Sequence, residues 1–194
     1  MQTANDMNAI DGRRREALQD DLLVTRCKLG EREAFDELIA RWHEPLWKYA
    51  RRLTGDDDAA ADTVQEVWLR VLRGMARLRD HERLRAWMFG IARRVVMDRL
   101  RHRYAAPIDD SVDLASVAEP EDARDLELEI SALHEELAQL PVTEREVLVL
   151  FYLRELTLSE LAAVLAVPVG TVKSRLFRAR HLLRRNLTMK GMER

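Results

Sequence analysis

Between Thr171 and Arg185 the chain carries six Lys or Arg residues and no acidic one, in the run TVKSRLFRARHLLRR. Basic side chains at this density neutralise phosphates and donate to base edges, so the chemistry they offer is nucleic-acid binding rather than bond-making. At about 100° per residue, Val172, Leu176, Ala179 and Leu183 fall on one side of a helix. Ser174, Phe177, Arg178 and His181 fall on the other, with Lys173 and Arg184 beside them. A basic run on a helix is ordinarily a solvated face. Here, however, an apolar ring, Phe177, shares the arginine-bearing face, which a purely solubilising surface does not require.

A reading helix must be held by others, and the residues just upstream supply them. Thr157 and Glu160 have the T-x-x-E spacing of a capping box, which predicts a short helix from Leu158 with Leu161, Ala162 and Leu165 on its apolar face. Val167, Pro168 and Gly170 then interrupt the pattern, and Thr171 is expected to cap the second helix. Two short helices joined by a tight turn, the second one basic, read as a helix-turn-helix with a major-groove reader. The small residues Ala162 and Ala166 suit a close crossing of the two helices.

Other chemistry is poorly represented. No nucleophile–base pair, metal-ligating cluster or phosphate-binding loop occurs, and the five histidines are scattered one to a segment. The expectation is therefore a protein that is not an enzyme and needs no cofactor, metal or small-molecule substrate. Cys27 is the single cysteine, which excludes an internal disulfide and reads as a small, partly buried side chain. No apolar run approaches the ~20 residues of a membrane span, and the polar start does not resemble a signal peptide. A cytoplasmic protein without membrane insertion is expected.

The near-neutral total charge of −2 conceals segregation. Residues 1–104 carry 21 Lys/Arg against 18 Asp/Glu, residues 105–140 carry 1 against 11, and residues 141–194 carry 10 against 5. Two basic lobes thus flank an acidic connector. Residues 1–20 read as a polar tail. From Asp21 to about Leu53, Phe35, Leu38, Ile39, Trp42, Leu46, Tyr49 and Leu53 repeat at helical spacing, with Pro45 expected to kink or restart the run. A break at Gly55–Asp58 precedes a helix from about Ala59 to Leu78, expected to bury Val64, Val67, Trp68, Val71, Leu72, Met75 and Leu78. Its polar face begins with Asp62, Gln65 and Glu66. After the polar loop Arg79–Arg83, a long helix is expected to bury Leu84, Trp87, Met88, Ile91 and Val95, while its many arginines suit a phosphate-tracking surface. Residues 105–122 read as a flexible acidic linker. A helix is expected to recover over residues 123–140, and Thr143 and Glu146 form a second capping-box pattern. The fold class is all-α: a bundle over residues 21–104 and a helix-turn-helix domain over residues 123–194.

The segments DDDAAADTVQEVWLRVL, LRAWMFGIARRVVMDRLRHR and LPVTEREVLVLFYLRELTLSELAAVLAVPVGTVKSRLFRARHLL resemble a group IV (extracytoplasmic-function) RNA polymerase sigma factor of the sigma-70 family, over about residues 21–187. The resemblance implies a sigma-2-like domain followed by a sigma-4-like domain. It implies that Asp62, Gln65 and Glu66 meet the clamp of the core polymerase largest subunit, with the flap as a further contact. It implies that Arg79, Asp80, His81, Arg83, Arg85, Arg93 and Arg94 serve the minus-10 element and strand opening. Lys173, Ser174, Phe177 and Arg178 would read the minus-35 element, with Thr171, Arg175 and Arg180 on phosphates. Promoter DNA, core polymerase and an anti-sigma factor are the implied partners, and a stress- or signal-responsive regulon is the implied target. The chain departs from the family pattern at AAAD in place of D-A-E-D, at Arg94 in place of asparagine, at Leu78 in place of phenylalanine, and at Ala166 in place of glycine. The competing reading is a free-standing helix-turn-helix regulator whose first half binds a ligand or dimerises.

Overall fold

A computed structural model of the chain describes residues 18–78, 84–105, 133 and 135–189. The helix α1 occupies residues 18–28, so the last three positions assigned to the tail are helical. It ends where Gly30 takes a left-handed φ of 83°, a conformation open to glycine without a Cβ clash. This break divides the single long helix expected from Asp21 to Leu53. The second piece, α2 (Arg32–Thr54), runs through Pro45 unbroken. A proline inside a helix costs about 3 kcal/mol, but Trp42, Leu46 and Tyr49 on either side of it are buried. Each large apolar side chain contributes about 1.5–3 kcal/mol on burial, so packing outweighs the lost hydrogen bond.

Gly55, at φ 75°, closes α2 by donating to the Arg51 carbonyl at 2.9 Å. Asp56 then caps α3 (Asp57–Gly74), its Oδ1 accepting from the Ala59 amide at 2.6 Å, as the aspartates of this break predict. One tight turn, Met75–Arg77, ends the element. Gly74 lets Trp87 pack closely here: a Cβ at that position would lie 3.0 Å from the Trp87 ring, which would have to shift.

The long helix α4 (Leu84–Ala105) lies between two sets of neighbours, α2 and α3 on one side and the helix Leu158–Leu165 of the second unit on another. Its buried set is accordingly wider than the predicted stripe. Ala86, Phe89, Ala92, Val96 and Leu100 join Leu84, Met88, Ile91 and Val95, whereas Trp87 is half-buried. Phe89 makes edge contacts with Trp42 and Tyr49, ring centroids 6.2 and 5.5 Å apart.

The second unit begins with a helical turn over residues 135–139, α5, which buries Leu137. Residue 105, expected to open the linker, is the last of α4; residues 106–122 of that linker and most of the expected helix over residues 123–140 lie outside the described residues. Next, α6 (Val142–Leu148) widens into a π-helical turn, Val149–Leu153, followed by α7 (Leu158–Leu165) and α8 (Val169–Met189). The second capping box does not form. Pro141 precedes α6 without a side-chain cap, and the Glu146 carboxylate turns inward to the first unit. Among the described residues there is no strand, so the architecture is two helical domains packed against each other.

Candidate nucleic-acid interface

The helix-turn-helix forms from the residues that predict it. Thr157 donates its amide to Glu160 Oε2 at 2.7 Å, and Glu160 returns its amide to Thr157 Oγ1 at 3.2 Å, completing the capping box. Ala166 ends α7 in the left-handed region, at φ 52° and ψ 46°. The Pro168 carbonyl accepts from the Thr171 and Val172 amides at 2.9 and 3.1 Å. The second helix therefore starts at Val169, and Thr171 sits inside its first turn instead of capping it. Proline fits just before the helix because its missing amide removes a donor that would have no partner in the helix, while its carbonyl accepts the first helical hydrogen bonds.

Val172, Leu176 and Ala179 are buried, with Leu183 packed at the edge of the core. Lys173, Ser174, Phe177 and Arg178 consequently share one exposed face. Phe177 is 74% exposed, the highest value among the large apolar side chains of this unit. The Ser174 hydroxyl donates to the Thr171 carbonyl at 2.9 Å. Arg178 Nη2 lies 2.6 Å from Oε1 of Glu144, a buried residue of α6. Arg180 points to the flank and lies over the rings of Phe151 and Tyr152, at 5.6 and 5.4 Å from their centroids. Thr171 and Arg175 are half-buried, and Arg175 adds a favourable charge near Glu146.

Most arginines described on the other arginine-rich helix hold protein partners. Arg79, Asp80, His81 and Arg83 lie outside the described residues. Arg85 donates to the Arg154 carbonyl of the second unit. Arg93 Nε lies 3.1 Å from Glu146 Oε1. Arg99 reaches Asp62 at 3.4 Å, Arg101 pairs with Asp98, and Arg103 donates to the Thr54 carbonyl at 3.4 Å. Only Arg94, of those described from Arg85 to Arg103, is exposed with no protein partner among the described residues. Helical charge density reports what a helix carries, but not which partners a second domain brings to it.

The residues that sequence reasoning missed lie at this seam. Tyr49, fully buried on α2, donates to Glu146 Oε1 at 2.8 Å. Burial, and then the Glu146 charge, push the Tyr49 phenol well above its ordinary pKa. Burial likewise raises the Glu146 carboxyl, opposed by Arg93 and by the tyrosine hydrogen bond. Nearby, burial and the charges of Arg52 and Arg85 lower Arg154 to about 10. A tyrosine in an apolar stripe and a glutamate in a helical first turn each have adequate local explanations, so no local signal pairs them.

On the far face of the first unit, Asp62 and Gln65 are exposed and Glu66 is half-buried, paired with Arg70 at 2.8 Å. Gln65 borders an apolar groove of about 420 Å³ between α2 and α3, lined also by Ile39, His43, Trp47, Trp68 and Leu72. Leu72, expected in the core, is half-exposed there, as are Ile39 and Leu69. The apolar stripe of α3 is simply wider than the surface its neighbours cover. Cys27 is buried, and burial raises its thiol pKa.

Among the described residues, no group of His, Cys, Asp and Glu could hold a metal ion, and no helix is long and apolar enough to cross a membrane. The models for Sigma-70 region 2 and Sigma-70 region 4 match residues 38–105 and 130–183. The bundle and the helix-turn-helix are thus the two conserved regions of a transcription initiation subunit. The chain is 33% identical to the ECF RNA polymerase sigma factor SigM of Mycobacterium tuberculosis, over 91% of this chain and 88% of that one. It is 28% identical to the ECF RNA polymerase sigma factor SigW of Bacillus subtilis, over 84% and 94%. Its fold matches CnrH, solved in complex with the cytosolic domain of CnrY, with a TM-score of 0.68 at 27% identity, covering 88% and 97%. The chain belongs to the extracytoplasmic-function sigma factors of the sigma-70 family.

Proposed function

We propose that this sigma factor binds core RNA polymerase through the α3 face and reads the minus-35 element through the exposed face of α8. In this reading Lys173, Ser174, Phe177 and Arg178 meet base edges, while Thr171, Arg175 and Arg180 hold phosphates. Asp62, Gln65 and Glu66 meet the polymerase clamp, and Arg79, Asp80, His81, Arg83, Arg85, Arg93 and Arg94 act at the minus-10 element. The domains are assigned to residues 21–104 and 123–194, joined by the acidic stretch 105–122. The chain acts in the cytoplasm, catalyses no reaction itself, and is restrained by a protein of the anti-sigma class. CnrH, bound to the cytosolic domain of CnrY, supports a protein partner of this kind.

The observation that carries the reading is Phe177, left exposed between Ser174 and Arg178 on a helix whose opposite face is fully buried. Its test is transcript-start mapping after overexpression, followed by transcription in vitro from those promoters with core polymerase. Transcription that depends on the added chain, with weak DNA binding by the chain alone, is the expected result. Nanomolar, sequence-specific duplex binding without polymerase would favour a free-standing regulator instead.

A further inference from the structure

The contact between Arg178 and Glu144 assigns a role to a residue outside the DNA-facing helix. We infer that Glu144 is a positioning residue that fixes the Arg178 guanidinium for base recognition; this rests on the reading of α8 given above. Glu144 lies in the first turn of α6, and its side chain is 8% exposed. The Arg178 side chain is 61% exposed. The pair therefore joins a buried acid to an exposed guanidinium. Among the described residues, Arg178 is the one cation within ion-pair distance of Glu144. Helix α6 packs along α8, so the carboxylate is anchored by the core beneath the reading face.

The geometry has two consequences. Guanidinium carries five N–H donors, and the ion pair approaches Glu144 through Nη2 alone, which leaves donors for a two-acceptor base edge such as guanine O6 and N7. An unrestrained arginine must also give up rotamer freedom when it binds, and an arginine already held loses less. Arg180 is held differently, by the faces of Phe151 and Tyr152. Two arginines on one helix thus have different supports, one directed toward the reading face and the other toward the flank.

The test compares wild type, E144Q, R178A and the E144Q/R178A double variant, each with core polymerase, on promoters randomised across the upstream element. Circular dichroism melts of each chain verify folding, and E144A serves as a second probe if E144Q melts early. E144Q is expected to reduce discrimination about threefold to tenfold at the base pair that R178A also relaxes. It should leave other positions unchanged, and the double variant should discriminate no worse than R178A alone. If R178A relaxes a base pair and a folded E144Q or E144A does not, Glu144 has no positioning role. If E144Q strengthens binding to all sequences while keeping the preference, Glu144 competes with DNA, and the inference is overturned. If R178A itself leaves every preference intact, the assignment of Arg178 as a base reader fails, and with it the basis for positioning.

Discussion

The Tyr49 hydroxyl donates to Glu146 at 2.8 Å across 97 positions of sequence, joining the first helical unit to the second at a fully buried point. Arg93 reaches the same carboxylate from α4, so three helices converge on one acid.

Removing the tyrosine hydroxyl should register in stability. Tyr49→Phe keeps the ring against Phe89 but takes a donor from a carboxylate with almost no access to water. The expected cost is about 1–3 kcal/mol, read from urea unfolding at neutral pH. A loss below a few tenths would mean that water replaces the hydroxyl, and that the seam is open in solution.

The same carboxylate predicts a pH dependence. Burial raises the Glu146 pKa in the folded state, and Arg93 and Tyr49 only partly offset that. A group whose folded pKa is raised contributes its full stability below the unfolded value of about 4.3, and loses it as pH climbs through the folded value. Glu146→Gln cannot ionise, so the advantage of wild type over this variant should shrink as pH rises through that window. Unfolding curves from about pH 4 to pH 7 would show it; an advantage that grows with pH would mean that Arg93 outweighs desolvation.

Much of this fold was legible in sequence, and the exceptions share a cause. Periodicity located α3, α4 and α8, because their apolar residues recur at helical spacing on the faces that neighbouring helices bury. The capping box at Thr157 and Glu160 was legible because both partners are local. Glu146, by contrast, has the same spacing from Thr143 yet pairs with Tyr49 and Arg93, since a long-range partner outcompetes a surface cap. Leu72 met the same limit from the opposite direction: its spacing marks it as apolar, but nothing in the sequence says whether a neighbour covers it. The face of α8 was readable because Val172, Leu176 and Ala179 define its opposite.

Ala166 offers a stabilising substitution. It holds a left-handed conformation that costs a non-glycine residue about 1–2 kcal/mol, and its methyl group is exposed. Glycine relieves that strain but adds freedom to the unfolded chain, which offsets part of the gain. Ala166→Gly should therefore raise stability by about 0.5–1 kcal/mol, measured as a shift in the denaturation midpoint. A destabilised variant would show that the turn relaxes out of the left-handed region in solution.

Phe177→Ala separates folding from recognition. The ring is mostly exposed, so stability should stay within about 0.5 kcal/mol of wild type. If the proposed reading face is right, transcription from promoters that depend on the upstream element should fall severalfold, because the substitution removes the ring that would make an apolar contact with a base methyl. Wild-type output from this variant would remove Phe177 from the reading face.

The wide turn at Val149–Leu153 has a consequence for chain length. A π-helical turn closes its hydrogen bonds one residue later than an α-helix, and here it ends the helical run begun by α6, ahead of the connection over residues 154–157 that leads to α7. Deleting one residue there would let regular hydrogen bonds close, at little local penalty. It would also turn the residues of this run that follow the deletion by about 100°, moving Phe151 and Tyr152 away from Arg180. Because α6 packs along α8 and the turn buries Val149 and Leu150, the shift would fall within the core of the second unit. At this point in the chain the number of residues matters as well as their identity.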